Sequence, residues 1–391
     1  ILETDSNNNE PRSLNKKTLY LTTLLVILAS IINGIFLYNN HTSTPNLSLL
    51  HSDLMIPVPS VLLQRDNILQ TIDDNFHNNR NIQTIALIGQ GGAGKTTLAR
   101  LYAAKQTTDL VWEINAETKI TLIESFVKLA EGLAQTKKDQ ETLQEIAAIQ
   151  TPNERIEKII LFVKQRLILY PNWFLIFDNV DNIHEVQKYI PHDHHVCGYG
   201  RIIITSRDSN ITAHRYINHT IAIGELTSEQ KISLFSKIIS DKTFNPEHIS
   251  NLLSTIPPFP LDVSIAAYYI KSTETSFTQY IIDLNNNSND FDNTQSLLLN
   301  ETGDYNQTRY KIITLSLEHL ISSHQDFKDL LLFIAMLDSQ NIPRNLLDKY
   351  KNHVVVDSFI YNLKKYSLIA GESITPLGEV FNLHRSTQAI A

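Results

Sequence analysis

The longest apolar run comes early. From Leu19 to Tyr38 the chain reads LYLTTLLVILASIINGIFLY, 20 residues without a charge. At about 1.5 Å per residue the run spans roughly 30 Å, the thickness of a hydrocarbon core, and it predicts a membrane-spanning helix over 19–38. A cleaved signal peptide is the competing reading, although no small-x-small site follows the run. A buried core helix would show an amphipathic stripe, and none is visible. Residues 1–18 read as an N-terminal tail. Residues 39–57 are polar, with Pro, Asn and Ser, and read as a linker.

After the linker the pattern changes. Short apolar, β-branched runs at 83–88 (QTIALI), 110–115 (LVWEIN), 173–178 (WFLIFD), 201–206 (RIIITS) and 219–223 (HTIAI) predict five strands. Helical stretches lie between them, for example 119–134 and 153–169. Strand alternating with helix predicts an α/β fold with a parallel doubly wound sheet over 58–224. From 225 the pattern turns helical. Thr227-Ser228-Glu229-Gln230 is a capping box, and Pro246 and Pro260 fit first helical turns, so 225–284 reads as a small helical domain. Residues 285–304 open on an Asn-rich stretch and read as a loop. Over 305–391 helices, such as 325–337, mix with short strands near 367–370 and 380–384.

Composition narrows the classes. Hydrophobic residues are 42% and charged residues 19%, which excludes a disordered or fibrous chain. The formal net charge of −8 makes a poor non-specific binder of nucleic acid. A single cysteine, Cys197, excludes an intrachain disulfide. The chain begins at Ile1, which predicts a processed or truncated product. The segment HDHHVC (192–197) holds metal-ligand residue types, but its spacing fits no standard site and it reads as a solvated loop.

Glycine points to the chemistry. Of 12 glycines, Gly89, Gly91, Gly92 and Gly94 fall within six positions. Gly89-Gln90-Gly91-Gly92-Ala93-Gly94-Lys95-Thr96-Thr97 follows the strand at 83–88 and precedes a helix-forming LARLYAAK. This is the G-x-x-x-x-G-K-[ST] pattern in strand–loop–helix context. Glycines let backbone N–H groups converge on phosphate oxygens, the helix N-terminus adds its dipole, and Lys95 supplies a point charge for the β- and γ-phosphates. The Thr96 hydroxyl fits a Mg²⁺ ligand. Asp178, ending an apolar strand, is the candidate second metal-side group, where ligands of open α/β sheets lie. Arg207, just past the strand at 201–206, is placed to reach a γ-phosphate.

These motifs resemble the NB-ARC class of STAND nucleotide-binding switches, in particular bacterial members with tetratricopeptide repeats. The resemblance runs from about Val58 to the end. Val61-Leu62-Leu63-Gln64-Arg65-Asp66 resembles the family's hydrophobic-Gly-Arg-Glu/Asp motif, with Gln64 in place of Gly and Arg65 near the adenine. Trp112–Glu117 resembles the second strand and its exit, and Gly200–Arg207 the sensor strand. Phe259-Pro260-Leu261 resembles G-L-P-L, with Phe for Gly; the family's Pro packs on the base. Leu383-His384-Arg385 resembles M-H-D without its Asp; the family's His senses the β-phosphate of ADP. The resemblance implies a winged-helix domain over 305–391. It implies nucleotide-binding residues Arg65, Gly89, Gly91, Gly92, Ala93, Gly94, Lys95, Thr96, Thr97, Pro260 and His384, catalytic residues Lys95, Asp178 and Arg207, and Mg²⁺ at Thr96 and Asp178.

The function expected is a Mg-ATP/ADP-dependent switch in signalling or self-assembly. Asn179 follows Asp178 where the family often has a second acid. An amide is no general base, so hydrolysis is expected to be slow unless Asp181 or Glu113 reaches the water. The alternatives are a nucleotide-holding scaffold without turnover and a winged-helix transcription regulator. Expected partners are protein partners and further copies of the chain, through sensor repeats that would begin beyond Ala391, and a membrane through the N-terminal helix. Arg12, Lys16 and Lys17 precede that helix and no Lys or Arg follows until Arg65. The positive-inside rule thus puts the bulk of the chain outside. Because ATP is a cytoplasmic ligand, the NTPase domain is expected in the cytoplasm, against that rule.

Overall fold

Apolar runs with β-branched and aromatic residues pair side by side when both of their faces can be covered, and here they do. The structure is a computed structural model that describes residues 49–52, 54, 56, 61–76, 81–240, 246–286, 304–375 and 378–391. Residues 1–48 lie outside the described residues.

In the first half the elements are β1 (Leu50–His51), α1 (Asp66–Asn75), β2 (Gln83–Ile88), α2 (Lys95–Ala104), β3 (Leu110–Asn115), α3 (Lys119–Leu133), α4 (Lys137–Ala147), α5 (Pro152–Leu167), β4 (Trp173–Asp178), two single-turn helices α6 (Ile183–Val186) and α7 (His194–Cys197), β5 (Gly200–Ser206) and β6 (His219–Ala222). The strands form one parallel sheet in the order β1-β3-β4-β5-β2-β6. The five expected strands are all present. The sixth, β1, lies inside the stretch read as linker. His51 reaches the Thr108 carbonyl at 2.8 Å, and the Glu113 N–H donates to Ser52 Oγ at 2.6 Å. These bonds hold this polar segment on β3.

Helices cover the sheet faces. On one side Phe76, Tyr102 and Phe174 pack ring to ring, locking α1 and α2 onto β4. The HDHHVC segment is not an open loop: Asp193 caps α7, and the buried Cys197 offers its carbonyl to Trp173 Nε1 at 2.7 Å. Burial pushes the Cys197 thiol up to about 11. Asp193, His194 and His195 bring ligand atoms within 4.8 Å of one another, but Asp193 is committed to its cap.

The second half holds α8 (Ser228–Ile239), α9 (Pro246–Thr255), α10 (Pro260–Thr273), α11 (Phe277–Asn286), α12 (Asp304–Ser323), α13 (Phe327–Ala335), β7 (Ile342–Pro343), α14 (Arg344–Tyr350), α15 (His353–Lys365), β8 (Ile369–Thr375), β9 (Gly378–Leu383) and α16 (Arg385–Ile390). Thr227 caps α8 through the expected box, and Pro246 and Pro260 open their helices. β7, β9 and β8 form a small antiparallel sheet. One continuous apolar core runs from Leu226 through Phe235, Ile265 and Ile312 to Phe359 and Leu383, so the stretches 225–284 and 305–391 share their interior.

The expected membrane placement is corrected. Among the described residues no helix is long and apolar enough to cross a bilayer. The longest of them, α12, has 20 residues but carries Asp304, Arg309, Lys311 and Glu318, charges that hydrocarbon does not accept. Residues 19–38 lie outside the described residues. Neither the membrane partner nor the orientation assigned to it is carried further.

Candidate functional site

The ends of β2, β4 and β5 meet at one edge, and the glycine loop joins β2 to α2 there. Gly92 has φ +80°, and a Cβ on it would sit 2.9 Å from Leu261 Cβ, so only glycine fits. Gly94 is also left-handed and caps α2 without a side chain, leaving the first N–H groups of the helix facing the loop.

Lys95 is buried, with Nζ donating to the carbonyls of Gly89 at 2.8 Å and Gln90 at 2.9 Å. Its pKa is lowered to about 8. Burial is the main cause and the cations Arg207 and Arg309 add to it, while Asp178 opposes. Thr96 Oγ1 donates to Asp178 Oδ1 at 2.7 Å, and Thr205 Oγ1 donates to the same oxygen at 2.6 Å. Asn179 follows in the left-handed region at φ 59°, its N–H on Thr205 Oγ1 at 2.9 Å. A hydroxyl and a carboxylate this close are the donor set of a hard cation. Thr97 lies in the first turn of α2.

Arg207 follows β5. Its guanidinium lies 3.1 Å from where a Cβ on Gly91 would be, and among the described residues it makes no hydrogen bond or ion pair. Burial lowers its pKa, and Arg385 adds to this. Arg65 grips the loop from below, donating to Ala93 O at 3.1 Å and Gly224 O at 3.3 Å. Pro260 stands 3.7 Å from a Cβ position on Gly94, and the Leu261 N–H donates to Gly92 O at 3.3 Å. His384 follows β9 as the N-cap residue of α16; burial, with Arg100 and Arg309 adding to it, depresses its pKa to about 4, so the ring is neutral at pH 7. Arg65, Lys95, Arg207 and Pro260 thus lie against the glycine loop, and Thr96 pairs with Asp178 where α2 begins. Gly89, Gly91 and Arg207 line a cavity of about 1040 Å³ with Gln90, Glu117, Arg309 and Arg385.

Three pairings went unread in the sequence. Arg309 on α12 makes a two-pronged ion pair with Asp262 on α10. Arg385, standing where the resembled motif has Asp, pairs with Glu117 and, at 3.3 Å, with Asp181, while Ser339 Oγ donates to Glu117 at 3.3 Å. Arg100 holds Glu113 in two bonds of 2.7 and 2.6 Å. Only Asp262 carried a signal: a lone acid in an otherwise apolar turn of helix asks for a buried partner.

A parallel sheet, a glycine loop at a helix start and a threonine–aspartate pair at the strand ends define a P-loop NTPase fold. Residues 65–245 match the NB-ARC domain, and that segment is an NB-ARC domain of this class. A crystal structure of a signal transduction ATPase with numerous domains (STAND), with a tetratricopeptide repeat sensor, from Pyrococcus horikoshii is similar to this chain. The likeness covers 85% of this chain and 43% of that one, at 16% identity and TM-score 0.51. This chain thus spans less than half the length of that protein. A Walker-type ATPase of Pyrococcus abyssi (12% identity, 84% and 95% covered, TM-score 0.38) and the ORC2 protein of Aeropyrum pernix in ADPNP-ADP complexes (12%, 83% and 91%, 0.35) are also similar. No curated protein matches this chain in sequence.

Proposed function

We propose that this protein binds ATP or ADP with Mg²⁺ and acts as a slowly hydrolysing nucleotide switch. The observation that carries the reading is the grouping of Lys95, the glycine loop and the Thr96–Asp178 pair on one edge. Loop amides and Lys95 hold the phosphate tail. Thr96 and Asp178 would hold Mg²⁺, which neutralises phosphate charge when bound. Arg207, without a partner among the described residues, reads the terminal phosphate. Pro260 and Arg65 shape the loop's far side, and neutral His384 approaches from the C-terminal region as the phosphate-side sensor. The small antiparallel sheet with α12 to α15 supports a winged-helix reading of 305–391, and that region acts as a clamp on the nucleotide.

Slow turnover follows from where the acids are committed. Both oxygens of Glu113 are taken by Arg100, Asp181 pairs through one oxygen with Arg385, and Asn179 cannot act as a base. The same commitments favour the second reading, a scaffold that holds nucleotide without turnover. Measuring phosphate release separates the two. Release above a Lys95→Ala control supports the switch, and release equal to the control supports the scaffold. A parent chain that binds no ADP would sink both. Because the similar Pyrococcus horikoshii protein carries a tetratricopeptide repeat sensor, a repeat sensor is proposed as the source of the trigger; self-assembly is proposed as the output on the resemblance to STAND switches.

A further inference from the structure

Each carbonyl of the loop from Gly89 to Ala93 has a donor from outside the loop's own turn. Lys95 takes those of Gly89 and Gln90, the Leu261 N–H that of Gly92, and Arg65 that of Ala93. The fifth, Gly91 O, is taken by Arg309 Nη1 at 2.7 Å. A carbonyl turned toward a donor turns the following N–H the other way, which is how a loop makes a concave anion nest.

Arg309 is unlike the other donors. It comes from α12, and it is aimed by a second residue. Nε and Nη2 bond the two oxygens of Asp262 at 2.8 and 2.5 Å, leaving the other edge of the fork for Gly91. Asp262 is fully buried, and the Phe259 ring lies 5.3 Å from the guanidinium carbon. Phe259 occupies the place where the resembled motif has Gly, so that departure gives the guanidinium a wall. A planar guanidinium can serve two acceptors on different edges in fixed directions; a lysine ammonium is a point charge and cannot.

We propose that Arg309, aimed by Asp262, is a positioning residue for the nucleotide's phosphate tail. It holds the Gly91 carbonyl outward so that the loop amides face the phosphates. Because it rides on α12, it also makes the loop's grip depend on the seating of the C-terminal region. The inference rests on the nucleotide reading above.

The test is titration calorimetry of MgADP into the parent chain, Arg309→Lys, and the double variant Arg309→Met with Asp262→Leu. Apolar groups replacing a buried ion pair leave stability nearly unchanged in other systems, so the double variant removes the loop contact without leaving a buried charge. Arg309→Lys keeps a cation for Asp262 and loses the fork. Both variants are expected to bind MgADP about tenfold more weakly or worse, the loss of one charge-assisted hydrogen bond, with melting temperatures near the parent's when nucleotide is absent. Hydrogen exchange over 304–323 should respond to MgADP in the parent and not in the variants. Parent-like affinity in Arg309→Lys overturns the proposal, whether or not the double variant folds. Affinity loss that merely tracks loss of melting temperature also overturns it, in favour of plain stability. A parent chain that binds no MgADP defeats the nucleotide reading instead, and is distinguished by that.

Discussion

The lowered pKa of Lys95 makes nucleotide affinity depend on pH in a range where the terminal phosphate no longer titrates. An ordinary lysine ionises at 10.5; burial beside Arg207 and Arg309 brings Lys95 to about 8. A polyphosphate prefers the ammonium, so binding pulls a proton onto Lys95 whenever it is neutral. At about pH 7 nearly all Lys95 is already charged. At about pH 9 roughly one site in ten is, and binding is weakened by about 1.4 kcal/mol, or roughly tenfold. The phosphate itself, with its last pKa near about 6, is ionised throughout. Calorimetry with MgADP at the two pH values measures the difference. Lys95→Arg is the control, because a guanidinium stays charged and its affinity should be level across the range. Equal affinity of the parent at both pH values would refute the reasoning. The same group acts on stability with the opposite appearance. Its folded pKa lies below its unfolded one, so without nucleotide its contribution to stability rises as pH goes from about 8 to 10.5 and is lost below 8.

Three further outcomes are expected. Asp178→Asn should abolish the gain in nucleotide affinity on adding Mg²⁺ while leaving metal-free ADP binding in place; an unchanged Mg²⁺ response would remove Asp178 from the metal side. Gly200→Ala would set a Cβ 2.1 Å from the fully buried Trp173 ring, and should lower stability by about 3 kcal/mol; a parent-like urea midpoint would contradict it. Arg385→Ala strips half-buried Glu117 of its cation. Stability should fall by about 1–3 kcal/mol at pH 7 and by less at pH 5, where the carboxyl accepts a proton; equal losses at both pH values would count against the pairing.

The central strands were readable because β2, β4 and β5 are covered on both faces and so appear as unbroken apolar runs. The glycine loop was readable because its chemistry is local: nine consecutive residues carry it. Two elements escaped for opposite reasons. α4 is largely polar, KKDQETLQEIA, and only its Thr136–Asp139 capping box marks it. β1 is two residues long and exists through bonds to β3, some sixty positions away. The ion pairs escaped because Arg309 meets Asp262 across 47 positions and Arg385 meets Asp181 across 204, and such meetings leave no periodic trace in a sequence. The apolar run at 19–38 fits a length rule but lies outside the described residues, and among those no helix is long and apolar enough to cross a bilayer.

The ring of donors around the loop crosses the border that the family match draws. The match ends at residue 245, yet Leu261 and Arg309 supply two of the five main-chain caps from beyond it. A piece cut to the matched segment would keep every residue of the phosphate motif and lose part of what shapes it. For expression work, the smallest fragment that keeps this ligand cradle intact therefore extends at least through α12, well past the edge a motif search would suggest.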